Sequence, residues 1–233
     1  MINIEKIETY GWEAAIRGMR NPMNSWDKSD SELCKGMDGF EDCRVSPLGV
    51  CPRHEDFRHD IFCVGKNDLK LMKKLSKAGN DHAKFLRMIT VSMDITAPLY
   101  WWKEFDTYKV GTVRNSCSTM HKIHAKEFTM DDFSCEHLYG KAKVVLEDYI
   151  IPTLNDDREW YQETKDKDDW WQMIQLIPSS YNQKSTVTVN YQVLKSMYFA
   201  RRNHKLDEWK DFCEAIRKLP YFEEICVNKG DAE

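Results

Sequence analysis

The hydrophobic positions of the chain follow helical spacing over most of its length. Trp12, Ala15, Ile16 and Met19 recur three and four residues apart, which is typical of one face of an amphipathic helix. The same periodicity, with glycine or asparagine at several ends, predicts further helices. The predicted helices cover residues 10–19, 67–78, 136–153, 156–176, 190–203 and 207–219, and Pro98 opens a short one through Trp101 and Trp102.

Two stretches are strand-like instead. FLRMITVSMDIT, residues 85–96, is rich in β-branched residues that mostly alternate with others, and residues 185–189 form a short β-branched run. Several helices with two or three strands predict an α+β fold, a mixed sheet with surrounding helices. No repeat or low-complexity linker divides the chain, so we expect a single domain over residues 1–233.

Residues 32–65 break this pattern and are interpreted as an inserted loop. They have glycines and prolines but no helical period, and they carry half of the eight cysteines. Zinc takes four tetrahedral sulfur or nitrogen ligands, and short spacings let one loop surround the ion. Cys51, His54, His59 and Cys63 are the predicted ligands, although free cysteines in a loop remain the alternative.

Composition narrows the class of protein. The chain has 34 basic and 38 acidic side chains and a formal net charge of −4, which argues against polymeric nucleic acid or an anionic membrane as partner. No apolar run is long enough to span a bilayer, and the N-terminus lacks a secretory pattern. With eight cysteines and no such signal, a cytoplasmic location is expected.

The most informative stretch is LIPSSYNQKSTVTVNYQVLKSMYFAR, residues 176–201. Asn190 and Arg201 are separated by nearly three helical turns, so they share a face, about 16 Å apart along the axis. Leu194 and Tyr198 lie on or near that face. An amide and a guanidinium that bracket an apolar stripe could hold the two ends of a planar, phosphorylated ligand. The alternative is an N-cap asparagine and a solvated arginine at a helix C-terminus.

This stretch resembles the flavin-dependent thymidylate synthases (ThyX). That family has an L-P loop, a threonine-rich strand, then T-x-N-x-R-S-L and a helix ending in L-x-x-R. The same register runs without a gap from Pro178 through Thr188, Asn190 and Leu194 to Arg201. Upstream, AAIRGMRNP, the helix ending at Gly79, and HAKFLRMITVSMDI are similar to the family's first helix, second helix and strand.

The resemblance weakens at the family's R-H-R-x-x-S-x-N-E-x-S-x-R-Y signature, against which residues 98–121 can be laid. Arg114 and Asn115 fall on its asparagine and glutamate, or a one-residue insertion restores Asn115 and Ser118 to the asparagine and serine positions. The other departures are Thr107-Tyr108-Lys109 for R-H-R, Cys117 for the second serine, Thr119 for the arginine, Lys103-Glu104 for an upstream arginine-glutamine pair, Gln192 for the T-x-N-x-R arginine and Ile174 for the arginine before the L-P loop.

The resemblance implies a function and a set of site residues. It implies flavin-dependent transfer of a methyl or hydroxymethyl group to a uracil deoxynucleotide such as dUMP, with FAD, a folate and a homotetramer. It places Arg201 at the pyrimidine, as catalytic and nucleotide-binding residue. The nucleotide would also meet Lys103, Glu104, Cys117 and Thr119, and the cofactor Thr107, Tyr108, Lys109, Asn190 and Gln192.

Two other functions are consistent with the departures. One is a catalytically retired module that binds or sequesters a nucleotide without flavin chemistry. The other is a structural or interaction protein whose zinc-bound insert contacts a partner. Since a lysine cannot form arginine's bidentate fork, affinity would depend on replacement cations, for which Arg17, Arg20 and Arg114 are candidates. His121 and His124 could act as a chelating or acid–base pair, or lie at the surface.

Overall fold

The computed structural model describes residues 2–33 and 62–227. Over these residues the chain combines α-helices and β-strands, which confirms the α+β class. The strands are β1 (Asn3–Tyr10), β2 (Glu32–Leu33), β3 (Phe62–Cys63), β4 (Thr90–Pro98), β5 (Thr112–Ser116) and β6 (Asn182–Asn190). The helices are α1 (Trp12–Arg20), α2 (Lys66–Lys77), α3 (Leu99–Phe105), α4 (Thr119–Lys122), α5 (Gly140–Val144), α6 (Ile151–Thr164), α7 (Lys167–Leu176), α8 (Tyr191–Arg201), α9 (Asp207–Arg217) and α10 (Phe222–Cys226). No helix of the described ranges is long and apolar enough to cross a membrane.

The strands form two sheets. Four are hydrogen-bonded in the order β1-β4-β6-β5, and β2 pairs antiparallel with β3, with Glu32 opposite Cys63 and Leu33 opposite Phe62. The chain divides into two compact units. Unit 1 comprises the chain up to Ile4, Asp94–Tyr108 and Arg114–Thr186, and unit 2 comprises Glu5–Met93, Lys109–Val113 and the chain from Val187. The single domain over residues 1–233 stays a prediction.

Unit 1 has an apolar core built mainly from its helices. Leu154 and Met173 are fully buried there, in one cluster with Phe128 and Phe133. α3 is fixed to the loop before β6, because the Leu99 amide donates to the carbonyl of Tyr181 at 3.0 Å. Pro98 stands at the N-cap position of α3, where the missing amide proton costs nothing.

Unit 2 has a core of edge-to-face aromatic rings. Trp12 packs against Tyr191 and Tyr221, with both ring centroids 5.5 Å away, and Tyr191 packs against Phe222. The Tyr191 hydroxyl donates to the carbonyl of Pro220 at 2.8 Å. Burial raises the pKa of Tyr191 well above its ordinary value, so this tyrosine stays a neutral donor in the core.

A buried ion pair joins the end of α1 to the start of α2. Arg20 Nε donates to Asp68 Oδ1 at 2.6 Å, and the other carboxylate oxygen accepts from the hydroxyls of Ser29 and Ser31. Burial alone would raise the pKa of Asp68, but these hydroxyl and guanidinium donors lower it. Because both charges are paired and hydrogen-bonded, the pair fixes the turn after α1.

Two predicted boundaries are wrong, the start of the first helix and the start of the strand predicted over residues 85–96. The first helix begins at Trp12 and not at residue 10, because Gly11 has φ +85° and ends β1; a Cβ there would lie 2.1 Å from the carbonyl oxygen of Met88. Residues Lys84–Arg87 form a 3₁₀ turn, and the strand starts only at Thr90. The Met88 amide donates to the carbonyl of Phe85 at 3.0 Å, and this bond closes the turn before the strand begins.

The predicted break between the two long helices of unit 1 is also misplaced. Residues 154–155 lie inside α6, and the break comes at Lys165, whose φ of 59° ends that helix. Leu154 is fully buried, and the Asn155 side chain exchanges two hydrogen bonds with the backbone of Phe128. Tertiary contacts therefore hold the helix through a sequence that is typical of a cap.

Candidate functional site

The β6–α8 corner of unit 2 carries the strongest predicted motif. Asn190 is the N-cap of α8, and its Oδ1 accepts from the backbone N–H of Val193 at 3.0 Å. The preceding β-branched residues Thr186, Val187 and Val189 lie in β6, and this strand ends at the N-cap residue Asn190. A Cβ at Gly111 would lie 2.7 Å from Asn190 Nδ2, and Gly111 has φ +80°, so glycine lets the turn that contains Lys109 approach the cap closely.

Arg201 is the last residue of α8 and is half-buried. Its guanidinium carbon lies 4.8 Å from the ring centroid of Trp209, a fully buried residue of α9. Burial raises the pKa of the Cys213 thiol to about 12, Glu214 adds to this and the Arg201 charge opposes it. Arg201 is thus a cation held against an aromatic face.

The apolar stripe between Asn190 and Arg201 is part of the core. Leu194 is fully buried and Tyr198 is 7% exposed. The hypothesis that this stripe contacts a planar ligand is therefore wrong, because the helical period turns it toward the core of unit 2. The side chains of this corner that could contact a ligand are therefore the polar ones, Asn190, Gln192 and Arg201.

Gln192 carries an unsatisfied buried acceptor. Its Nε2 donates to Asn80 Oδ1 at 3.3 Å, whereas Oε1 is buried and has no hydrogen-bond partner in the described part of the chain. A buried acceptor without a donor destabilises the protein by roughly 1–3 kcal/mol. A ligand N–H at this position would satisfy it.

The remaining nucleotide and cofactor candidates belong to unit 1. Lys103 is exposed and Glu104 half-buried on α3, and the Thr107 hydroxyl donates to the Glu104 carbonyl oxygen at 2.7 Å. Tyr108 is half-buried in the following turn. Cys117 is exposed at the end of β5, and Thr119 opens α4. The signature region is thus a helix, a turn, a strand and a short helix, because α3 ends at Phe105.

Arg114 binds these elements together. Its Nε donates to Ser185 Oγ at 2.9 Å, its Nη1 donates to both Asp106 carboxylate oxygens, and its Nη2 donates to Gln183 Oε1. Its guanidinium carbon lies 3.7 Å from the centroid of the Trp102 ring. Gln183 Nε2 in turn donates to the carbonyl of Cys117 at 2.7 Å. Arg114 therefore joins α3, β5 and β6, and most of its donors are engaged within the chain.

No metal site emerges from the described residues. Cys51, His54 and His59 lie outside them, and Cys63 is 1% exposed in β3. In residues 2–33 and 62–227, no group of three or more histidine, cysteine, aspartate or glutamate side chains could hold a metal ion. Zinc in the insert is unsupported and stays a prediction.

The histidine pair is divided between surface and packing. His121 is exposed, and the His124 ring lies edge-on to Tyr161 with centroids 4.8 Å apart. Burial lowers the pKa of His124, and the charges of Lys165 and Lys122 lower it further. This favours a neutral, packed imidazole at His124. The surface alternative therefore describes His121 and not His124.

Two aromatic partners were not predicted from sequence. Trp209 under Arg201 and Trp102 under Arg114 fix the two guanidinium groups. The adjacent pair Trp101-Trp102 was a visible signal, but it could not show which cation would lie over it.

Comparison with known proteins gives a fold and no sequence family. No family model and no curated protein matches the sequence. Two crystal structures of ThyX from Helicobacter pylori with FAD and dUMP do match, each with a TM-score of 0.63 and 14% identity, over 97% of this chain and 98% of theirs. The chain folds like ThyX. At this identity the ThyX likeness establishes the fold, while ligands and chemistry depend on the residues above.

Proposed function

We propose that the chain is a ThyX-like nucleotide-binding protein that takes a uracil deoxynucleotide such as dUMP. The observation that carries the proposal is Arg201 at the end of α8, in a fold shared over 97% of the chain with proteins solved in complex with dUMP. A half-buried guanidinium stacked on Trp209 is suited to a carbonyl-rich or anionic ligand, since it offers planar donors.

Calorimetric titration with dUMP and with thymidine monophosphate tests this proposal. Loss of a charge-assisted hydrogen bond costs about 1.5–3 kcal/mol, so Arg201→Ala should weaken binding roughly ten- to a hundredfold. Arg202→Ala is the matched control, because Arg202 is the next residue and packs over Phe199, 5.0 Å from its ring centroid. We expect the control to bind within about twofold of wild type. Wild type that binds neither nucleotide, or equal binding by Arg201→Ala, would show that the site is wrong.

In its catalytic form, the proposal adds FAD and transfer of a one-carbon unit from a folate, in a homotetramer. FAD, when bound and reduced by an external hydride donor, would supply the hydride. Of the five cofactor candidates, Lys109 alone carries a positive charge, and it is exposed. Gln192 Oε1 suits an N–H of a flavin ring, but one lysine is a weak partner for a pyrophosphate. The described residues therefore do not make a complete FAD site.

The second form is a retired module that binds or sequesters the nucleotide without flavin. The position of Arg114 favours it, since this replacement cation donates to Asp106, Gln183 and Ser185 and is held by protein partners. Both forms need Arg201 to bind the nucleotide, and they differ in whether the protein also binds flavin.

Flavin absorbance separates the two forms. Since Lys109 is the one positively charged residue among the five cofactor candidates, we expect FAD to be lost during purification and to rebind weakly. Protein that stays colourless with excess FAD but binds dUMP contradicts the catalytic form. Protein that is yellow, and whose flavin spectrum changes on addition of dUMP, contradicts the retired form.

A further inference from the structure

A cavity of about 440 Å³ opens in unit 2 beside α1. Within residues 2–33 and 62–227, its walls are α1, the turn that follows α1 and the β2–β3 pair. Of the residues considered above for a nucleotide or cofactor, only the replacement cations Arg17 and Arg20 line it. Small-molecule sites commonly measure about 300–1,000 Å³, so the cavity is large enough for a ligand of one or two rings.

The cavity has an aromatic wall that is exposed yet fixed in position. Trp26 is 51% exposed, and its Nε1 donates to Asn21 Oδ1 at 2.8 Å. The indole is thus anchored at its polar edge while its ring remains in contact with solvent. Leu33, Phe62 and the buried Ile16 are the other apolar residues of the lining within the described part of the chain. A flat ring could stack here without displacing a protein side chain.

Beside this wall lies a buried cation with spare donor capacity. Arg20 is 4% exposed and lines the cavity. Its hydrogen bonds within the described residues reach four acceptors, namely Asp68 Oδ1, the carbonyl and hydroxyl of Ser25 and the carbonyl of Lys28. A guanidinium has five N–H groups, so one remains for a ligand.

A second cation stands at the mouth. Arg17 is 63% exposed, and within the described ranges its ion pair is a loose one to Glu13, with Nη1 and Oε1 3.7 Å apart. Glu13 and Glu32 also line the cavity, so its charge is balanced and a multiply charged anion would be repelled. One carboxylate fits, because a guanidinium binds it with two parallel hydrogen bonds.

Two serine side chains of the cavity lining are held in position by protein contacts in the absence of a ligand. The hydroxyls of Ser29 and Ser31, both lining residues, donate to Asp68 Oδ2 at 2.7 and 2.6 Å. Groups held in this way lose little further freedom on binding, which favours affinity.

From these contacts we propose that the cavity beside α1 is a binding site for a planar aromatic carboxylate, with its ring on Trp26 and its carboxylate at Arg17 and Arg20. The site is independent of the nucleotide proposal, since that proposal rests on Arg201, which does not line this cavity. Trp26 and Arg17 determine the ligand class, and the two glutamates exclude more highly charged anions.

The probe is 2-naphthoate, and 2-naphthamide is its neutral analogue of the same shape. Saturation-transfer NMR and calorimetry on the full chain should show naphthoate binding, with the amide at least about tenfold weaker. Trp26→Ala and Arg17→Gln should each weaken naphthoate about tenfold. Trp26→Phe should bind within about threefold of wild type, because it keeps a ring, and it guards against a folding defect in Trp26→Ala.

Matched controls lie elsewhere on the surface. Trp160 is 59% exposed, and Arg87 is exposed outside the cavity lining. Trp160→Ala and Arg87→Gln should leave naphthoate binding within about twofold of wild type. Failure of wild type to bind naphthoate at millimolar concentration overturns the proposal. Equal binding of the amide, or full binding by Trp26→Ala or Arg17→Gln, overturns it as well.

Discussion

The Arg114 cluster of unit 1 consists of Arg114, Trp102, Asp106, Gln183 and Ser185, which pair their polar groups with one another. The β6–α8 corner of unit 2, in contrast, leaves a buried acceptor without a donor among the described residues. At Arg114, a charge in the family's signature region donates to Asp106, Gln183 and Ser185 and stacks on Trp102. At the corner, the Gln192 acceptor is buried without a donor, and Arg201 contacts an aromatic face. The first arrangement stabilises the chain by itself, whereas the second leaves the Gln192 acceptor for a ligand donor.

The largest expected effect comes from Arg114. Its side chain is 16% exposed, and Arg114→Met would leave Ser185 and Gln183 without their donor. We expect the free energy of unfolding to fall by about 2–4 kcal/mol, measured by urea denaturation. Arg114→Lys should recover part of this loss, because it keeps the charge but not the fork.

The matched variant is Arg201→Met. The contact with Trp209 that it removes is worth about 1 kcal/mol, so we expect a smaller loss than for Arg114→Met. If Arg201→Met cost as much as Arg114→Met, the two arginines would be equally structural, and the contrast between the regions would disappear.

Smaller effects test the corner itself. Asn190→Ala removes the N-cap of α8 and should lower the free energy of unfolding by about 1 kcal/mol. Gln192→Leu removes both the unsatisfied acceptor and the long 3.3 Å hydrogen bond to Asn80, so it should be neutral, or stabilise the ligand-free protein by up to about 1 kcal/mol. Thermal denaturation of both variants beside wild type measures the difference. A destabilisation by Gln192→Leu of more than about 1.5 kcal/mol exceeds what the Asn80 hydrogen bond can contribute and would mean that Oε1 has a partner in solution.

The strongest parts of the fold were predictable because local pattern and tertiary structure agree there. The Asn190 cap and the helix after it follow from a short β-branched strand, a capping residue and helical spacing. β1 and α10 were not predicted, and α6 runs through a sequence that is typical of a break. In α6, burial of Leu154 and the Asn155 contacts to Phe128 decide the outcome, and sequence spacing does not contain them.

The candidate site was predictable only as a set of positions. Spacing gave Asn190 and Arg201 the same helix, but it could not show that Leu194 and Tyr198 between them are buried. Nor could it show that Arg114 would donate to Asp106, because that contact depends on where α3 ends. For Arg114 and Arg201, the role of the guanidinium depends on which groups it contacts, and tertiary structure determines these contacts.

The pairing of β2 with β3 has a practical consequence for engineering. Leu33 and Phe62 are paired across two hydrogen-bonded strands, so residues 33 and 62 lie close together in space. Closing a longer or shorter connection between such points changes the loop-closure free energy only slowly with length. A short linker or a reporter domain inserted between residues 33 and 62 would therefore be closed at little cost in chain entropy. This junction is the natural place to attach a label to the chain.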